Sequence, residues 1–428
     1  MAQRFHIALV SEHASPAALL GGSDAGGQNV YLDELSAGLA TLGHTVDLFT
    51  RRDHPDAPLV VGWRPGVRII NLPVGPPEPL PKDALWPSMP AFRDALLAFV
   101  VEQGRHYDLL HGNFWMSGWV VAELGERLHL PTVQIFHATG LTKRRHQGAA
   151  DTSPHERIAV EREVVGRVNR LIAQCPSEAD ELIADYGADP AQVALIPSAV
   201  NSERFSPIAH NAARQKIGLV ADEPIIGYVG RMLPRKDVRN VVRALTLLVH
   251  QHNIPARLLL VGGETSDPDP QATPEIGVVQ QLAQDLDVAE RTLFVGRRQP
   301  DELRWYYGAA DIVVTTPWYE PFGLTPLEAM ACGRPVVGSA VGGLTFTIAD
   351  GETGLLVPPG DPQALAAALR HLLADTELRG RMGRAARACV EQGFTWTTVA
   401  QRTAALYQQL RHNYLPATVS PLAQKACI

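Results

Sequence analysis

Cysteine is scarce and scattered in this chain. The four thiols, Cys175, Cys332, Cys389 and Cys427, have no C-x-x-C spacing, which argues against a disulfide framework and a zinc site alike. Basic charge is short too: 38 Lys and Arg against 45 Asp and Glu leave a formal net charge of −7. Nucleic-acid binding needs a basic face to neutralise phosphates, so that class is set aside. No apolar run approaches the roughly 20 residues of a membrane span. Met1-Ala2-Gln3-Arg4 leads into a strand pattern and not into a signal-peptide core, so a cytoplasmic location is expected. Repeats and low-complexity segments are missing. No D-x-D stands in a suitable loop, since Asp267-Pro268-Asp269 belongs to a polar insertion; a metal is therefore not expected.

What is present is a repeated β–loop–α–β grammar. At 428 residues the chain is too long for one ordinary core and fits two domains. Residues 5–11 have strand character, and a Gly-rich loop follows. A helix over about 28–42 then places Tyr31, Leu35, Leu39 and Leu42 on one face before the Gly43 stop and a strand at 45–49. The grammar restarts near residue 225. A strand at 225–229 and a loop at 230–236 precede a helix capped by Asp237, bearing Val238, Val241, Leu245 and Leu248, and a strand at 257–261 ends in Gly262-Gly263. The fold class is therefore α/β, with two Rossmann-like, doubly wound domains facing across a ligand cleft. We expect them over residues 1–205 and 206–395, with a C-terminal helix over about 396–415 and a tail at 416–428. The proline-dense stretch 55–90 predicts a long surface connection.

The densest information lies in Trp318-Tyr319-Glu320-Pro321-Phe322-Gly323-Leu324-Thr325-Pro326-Leu327-Glu328. The β-branched run 311–317 predicts a buried strand. Thr325 to Glu328 fits a capping box that opens a helix, with Pro326 at its first position. A helix start fronted by Gly323 suits a phosphate. Two carboxylates beside a phosphate make sense when they accept hydrogen bonds from neutral hydroxyls, so the expected ligand is part phosphate and part polyol. Either acid alone has a plainer reading: Glu328 as partner of the Thr325 cap, Glu320 as a solvated loop acid.

Other candidates share this position between strand and helix. Gly26 and Gly27, in the loop Gly21-Gly22-Ser23-Asp24-Ala25-Gly26-Gly27-Gln28-Asn29, would let backbone approach a phosphate. Arg231 and Lys236 follow Gly230 at a strand end and add positive charge before a helix. His137 ends the strand at 132–136, and His111 follows another. Lys143, Arg144 and Arg145, with Arg157 beyond, form a basic cluster suited to solvent or to an anion. Arg297 and Arg298 follow the strand at 292–295.

Glu320-Pro321-Phe322-Gly323-Leu324 followed by Glu328-Ala329-Met330-Ala331-Cys332-Gly333 resembles the E-x7-E signature of retaining glycosyltransferases of the sucrose-synthase-like group (family 4, group 1). Gly26-Gly27-Gln28-Asn29-Val30-Tyr31 is similar to a loop of sucrose and sucrose-phosphate synthases and of inositol-phosphate N-acetylglucosaminyltransferases. The resemblance runs in order over roughly residues 5–400 and implies a GT-B fold. It implies that Glu320 holds donor-sugar hydroxyls, that Glu328 holds the ribose, and that backbone at Phe322, Gly323 and Leu324 faces the sugar and diphosphate. By the same resemblance Gly26 and Gly27 back the donor phosphates, Gln28 reaches the acceptor, and His137 lies beside the anomeric carbon. Arg231 and Lys236 would neutralise the leaving diphosphate, so neither metal nor cofactor is expected, and Arg297 would flank the base. Lys143, Arg144 and Arg157 would hold an anionic acceptor.

The implied reaction moves a hexosyl group, glucosyl first, from a nucleoside diphosphate sugar to a small sugar, sugar phosphate or polyol. Retention on one face needs no separate protein base. Three departures from the family pattern stand out: Asn113 where a second His is usual, Ala199 for Gly, and Asn201 for Asp. A nucleotide-sugar epimerase or hydrolase of the same fold is the first alternative. A peripheral-membrane transferase is the second, although Arg93, Asp94 and Glu102 mix signs on the apolar helix 91–102. A dinucleotide oxidoreductase would carry an acid where Thr50-Arg51-Arg52 stands.

Overall fold

The computed structural model describes residues 4–17, 26–219 and 223–414; the glycine-rich residues 21–25 and the tail 416–428 lie outside them. Among the described residues the strands form two sheets. The first contains β1 (His6–Val10), β2 (Thr45–Arg51), β3 (Val60–Arg64), β4 (Val67–Leu72), β5 (Leu109–Asn113), β6 (Thr132–Ile135), β7 (Arg170–Ala173) and β8 (Val193–Leu195). Their order is β3-β4-β2-β1-β5-β6-β7-β8, and every pair is parallel except β3 with β4. The second contains β9 (Ile225–Val229), β10 (Arg257–Val261), β11 (Thr292–Gly296), β12 (Ile312–Thr315), β13 (Val336–Ser339) and β14 (Gly354–Val357), all parallel, in the order β11-β10-β9-β12-β13-β14.

Helices cover both faces of each sheet, which explains why the central strands are continuous apolar runs. Ile7, Ala8, Leu9 and Val10 of β1 are all fully buried, as are Ile225 and Ile226 of β9. Strand order reverses between β1 and β5 in one sheet and between β9 and β12 in the other. Loops leaving the carboxyl ends of strands at such a reversal diverge and leave a crevice. The two crevices face each other.

One expectation fails here. Residues 55–90 are not a plain connection, because Val60–Arg64 and Val67–Leu72 pair as an antiparallel hairpin and β4 continues the sheet beside β2. The prolines flank the strands, and Pro65-Gly66 makes the turn, so composition hid two short β-branched runs.

The chain passes between the sheets twice. The first passage follows β8, and the second precedes the helix Trp396–Tyr414. The passages touch: Val200 and Thr395 form a parallel bridge, and Val200 N–H donates to the Phe394 carbonyl at 3.1 Å. The last helix then packs on the first domain, where Trp396, Val399, Tyr407 and Leu410 join a core with Phe5, Leu9, Leu35 and Leu39. No described helix is long and apolar enough to cross a membrane.

Candidate active site

The facing crevices enclose a cleft of about 380 Å³, and a second cavity of about 230 Å³ adjoins it at Gly26, Gly27, Leu324 and Thr325. His137, Gln28, Arg231, Lys236, Glu320 and Phe322 line the larger space. Glu328 lines the smaller one, together with Glu34, Arg204 and Arg298. The helix starts at Gly27 and Leu324 stand at the junction. They meet closely there, since a Cβ at Gly27 would lie 3.0 Å from Leu324 Cδ1.

The loop after β12 carries the first carboxylate. Its shape depends on Gly323, whose φ of 96° is a left-handed conformation that side chains resist, and which caps the helix Leu324–Ala331. The expected capping box is therefore corrected. Thr325 lies inside the helix and makes no cap, Pro326 stands at its third position, and Glu328 bonds elsewhere. Glu320 accepts a hydrogen bond from Lys236 Nζ. Burial alone would raise the Glu320 carboxyl, but Lys236, Arg235 and Arg231 hold it below the ordinary value. Burial lowers the Lys236 ammonium, and Glu320 pushes the other way. A carboxylate has acceptor sites beyond the one Lys236 takes, so Glu320 can still receive sugar hydroxyls. Two backbone bonds brace the loop: Trp318 N–H to the Arg235 carbonyl and Gly343 N–H to the Glu320 carbonyl, both 2.9 Å.

Glu328 receives the Tyr307 hydroxyl at 2.6 Å. Burial nevertheless pushes its carboxyl up to about 7, against the opposing pull of Tyr307 and Arg204. The two acids thus differ in kind: Glu320 is kept ionised by cations, and Glu328 is a desolvated group in which burial outweighs the pull of Tyr307 and Arg204. An acid of the second kind commonly marks a ligand site.

On the opposite wall, the helix Gly27–Thr41 opens with Gly26 N–H donating to Asn29 Oδ1 at 2.9 Å, while Asn29 Nδ2 donates to the Ser15 carbonyl at 2.8 Å. With no acid in its first turn, this start offers amide donors and a positive dipole end to an anion. Gln28 Nε2 is held by Ser11 Oγ at 3.1 Å. His137 sits at a φ of 59° after β6, its Nε2 3.1 Å from Asn113 Oδ1 and its ring edge-on to Tyr31. Pairing with a carbonyl oxygen puts the proton on Nε2 and leaves Nδ1 as an acceptor. Burial, with His111 and His13 nearby, lowers its pKa to about 3, so the imidazole is neutral at pH 7.

Several expected residues lie elsewhere. Arg157 is only 2% exposed; its guanidinium bonds Glu161 at 2.8 Å and the Ala138 carbonyl at 2.6 Å, so it braces the backbone beside His137 from behind. Lys143 is paired with Asp151 at 3.1 Å, and Arg144 lies 3.9 Å from the same acid. None of the three lines either cavity. Arg297 does not either; its neighbour Arg298 does, held by Tyr306 Oη at 2.8 Å. His111 is buried beneath the cleft, bonded to Tyr407 Oη at 2.7 Å.

Sequence reasoning missed His13, Lys82 and Arg235, all on the cleft wall. His13 Nδ1 lies 2.7 Å from the buried Glu12 carboxylate, which also accepts from Ser117 Oγ. Arg235 neighbours a recognised cation and could have been found. Lys82 stands in a single turn within the proline-dense stretch, where no periodic signal marks it.

Residues 26–199 match the profile of the glycosyl transferase 4-like domain, and residues 210–388 that of glycosyl transferases group 1. The chain is 38% identical over 418 residues to a D-inositol 3-phosphate glycosyltransferase of Kineococcus radiotolerans, covering 94% of this chain and 95% of that one. It is 35% identical over 408 residues to the enzyme of the same name from Corynebacterium jeikeium, covering 94% and 96%. Among solved structures, sucrose-phosphate synthase from Thermosynechococcus elongatus superposes with a TM-score of 0.86 at 38% identity, covering 96% of this chain and 100% of that one. HepE of Anabaena, in complex with UDP and glucose, shares the fold at a TM-score of 0.72 and 21% identity, covering 95% and 100%.

Proposed function

Because the chain belongs to the group 1 glycosyltransferases and has their GT-B fold, we propose that it transfers a hexosyl group, glucosyl first, with retention and without a metal. The enzyme class, transfer of a sugar from a nucleotide sugar, comes with the family. The acceptor in this proposal is a small phosphorylated sugar or polyol. Relatives named for inositol 3-phosphate and for sucrose phosphate support that choice.

The observation that carries the mechanism is the grouping of Arg231, Lys236 and two helix starts around one cleft that also holds Glu320. In the proposed reaction the glycosidic C–O bond breaks toward an oxocarbenium-like state, and negative charge grows on the departing diphosphate. Arg231, Lys236 and the amides at Leu324 and Gly27 stabilise that charge as it forms. Glu320 receives hydroxyls of the transferred sugar, and Glu328 those of the ribose. His137, neutral and fixed by Asn113, offers Nδ1 to a hydroxyl near the reacting carbon. The acceptor lies on the wall formed by His13, Phe114 and Lys82, where Lys82 supplies the charge for a phosphate. The departing phosphate oxygen takes the acceptor proton, so the new bond forms on the face from which the old one left.

The test is release of nucleoside diphosphate from UDP-, ADP- and GDP-sugars, with and without hexose phosphates and inositol phosphate, in EDTA. Release that requires one donor and one acceptor, giving a product with the donor's anomeric configuration by NMR, is expected. Turnover without acceptor, an inverted product, or dependence on added metal would overturn the corresponding part.

A further inference from the structure

We propose that Tyr319 is a positioning residue that ties the approach of the two domains to the placement of Glu320 and Lys236. The inference rests on the transferase reading above. Tyr319 immediately precedes Glu320 and is only 7% exposed. Its ring stacks on His146 of the first domain, with centroids 4.9 Å apart and planes 19° from parallel. Its hydroxyl accepts a hydrogen bond from Gln147 Nε2 at 2.5 Å. Both partners end the helix Gly140–Gln147, which belongs to the first domain.

Within its own domain the same ring lies under the Arg235 guanidinium, 5.2 Å from the ring centroid, and Arg235 neighbours Lys236. The Arg235 carbonyl accepts from Trp318 N–H at 2.9 Å, which keeps the two loops in register. One side chain therefore touches the far domain, while its chain neighbour Glu320 carries the carboxylate and its ring partner Arg235 immediately precedes the ammonium of Lys236. Cys175 Sγ donates to the Pro321 carbonyl at 3.3 Å, a second tether from the first domain to the same loop. When the domains part, these contacts break together, and the loop loses what fixes it from outside. In this reading Arg231, Lys236 and the Leu324 amide of the second domain hold the ground-state diphosphate in either arrangement. The Gly27 amide of the first domain engages as charge grows on it, so the clamp acts on turnover more than on ground-state nucleotide binding.

The experiment is a cycle of Tyr319→Phe, Gln147→Ala and the double variant, with Tyr319→Ala beside it. The two single changes delete the same hydrogen bond. Each is expected to lower kcat about two- to tenfold, and the pair by no more than either alone. Tyr319→Ala, which also loses the stacking, should lower kcat by about ten- to a hundredfold. Calorimetric Kd for the nucleoside diphosphate should stay within about twofold of wild type in all four. Additive losses, a matching fall in nucleotide affinity, or wild-type turnover in Tyr319→Ala would overturn the assignment. If the wild-type chain is silent with every donor, the transferase reading falls, and the clamp is judged by small-angle scattering. A larger radius of gyration for Tyr319→Ala then supports it, and an unchanged one rejects it.

Discussion

Replacing Glu328 by Gln should stabilise the ligand-free protein at alkaline pH while weakening nucleotide binding. Burial raises the Glu328 carboxyl from the ordinary 4.5 to about 7. Between those values the folded chain holds a proton that the unfolded chain has released. The stability linked to that proton is complete below about 4.5 and lost once pH rises past about 7. At pH 8 the fold therefore carries a desolvated carboxylate at a cost of about 1–3 kcal/mol, after allowance for its partial exposure. Gln keeps the shape, still accepts from Tyr307 Oη and has no charge. Its unfolding midpoint should exceed that of wild type at pH 8, and the gain should vanish near pH 4.5, where Glu328 is itself neutral. In the proposed reading the same change also removes a charge-assisted acceptor for a ribose hydroxyl, worth about 1.5–3 kcal/mol, so Kd for the nucleoside diphosphate should rise by about one to two orders of magnitude. Denaturant midpoints at the two pH values and a calorimetric titration at pH 8 test both halves. A Gln variant no more stable than wild type at pH 8, or equally stabilised at both values, would refute the desolvation argument.

Arg231→Ala should lower kcat by about 10²–10³-fold with a smaller effect on donor Kd, since leaving-group charge grows toward the transition state; single-turnover kinetics with separate Kd measurement decides this, and a change confined to affinity would contradict it. Gly342→Ala tests the brace behind the loop that carries Glu320. At φ 45° its Cβ would come within 2.3 Å of the Glu320 carbonyl oxygen. We expect at least about a tenfold loss of kcat from displacement of Glu320, with the thermal midpoint falling by only a few degrees; normal turnover would show that the loop tolerates the shift.

The parallel strands and the two cavity-lining acids were legible because each leaves a local mark. The buried strands are unbroken apolar runs, and Glu320 and Glu328 stand at fixed spacing about a Gly at a helix start. The hairpin at 60–72 was not legible, because its strands are short and surrounded by prolines that signal loop. The cations Lys143 and Arg144 lie outside the two cavities for a different reason. Charge is readable from sequence but its pairing is not, and Lys143 meets Asp151 only in the folded chain. Arg157 is the exception. Glu161 follows it by four residues, an ion-pair spacing on a helix that already pointed to a structural role. Tyr319 carried no signal, since its partners at 146 and 147 are far away in the chain.

The paired passages at Val200 and Thr395 set how the cleft can move. One tether would let the domains swing and twist independently. Two tethers hydrogen-bonded side by side behave as a single spine, leaving rotation about one line as the soft motion. Rotation about that line widens the cleft on the side away from the spine. Since the last helix is built into the first domain beyond the second passage, cutting the chain near residue 395 would do more than shorten it: it would remove one of the two pins.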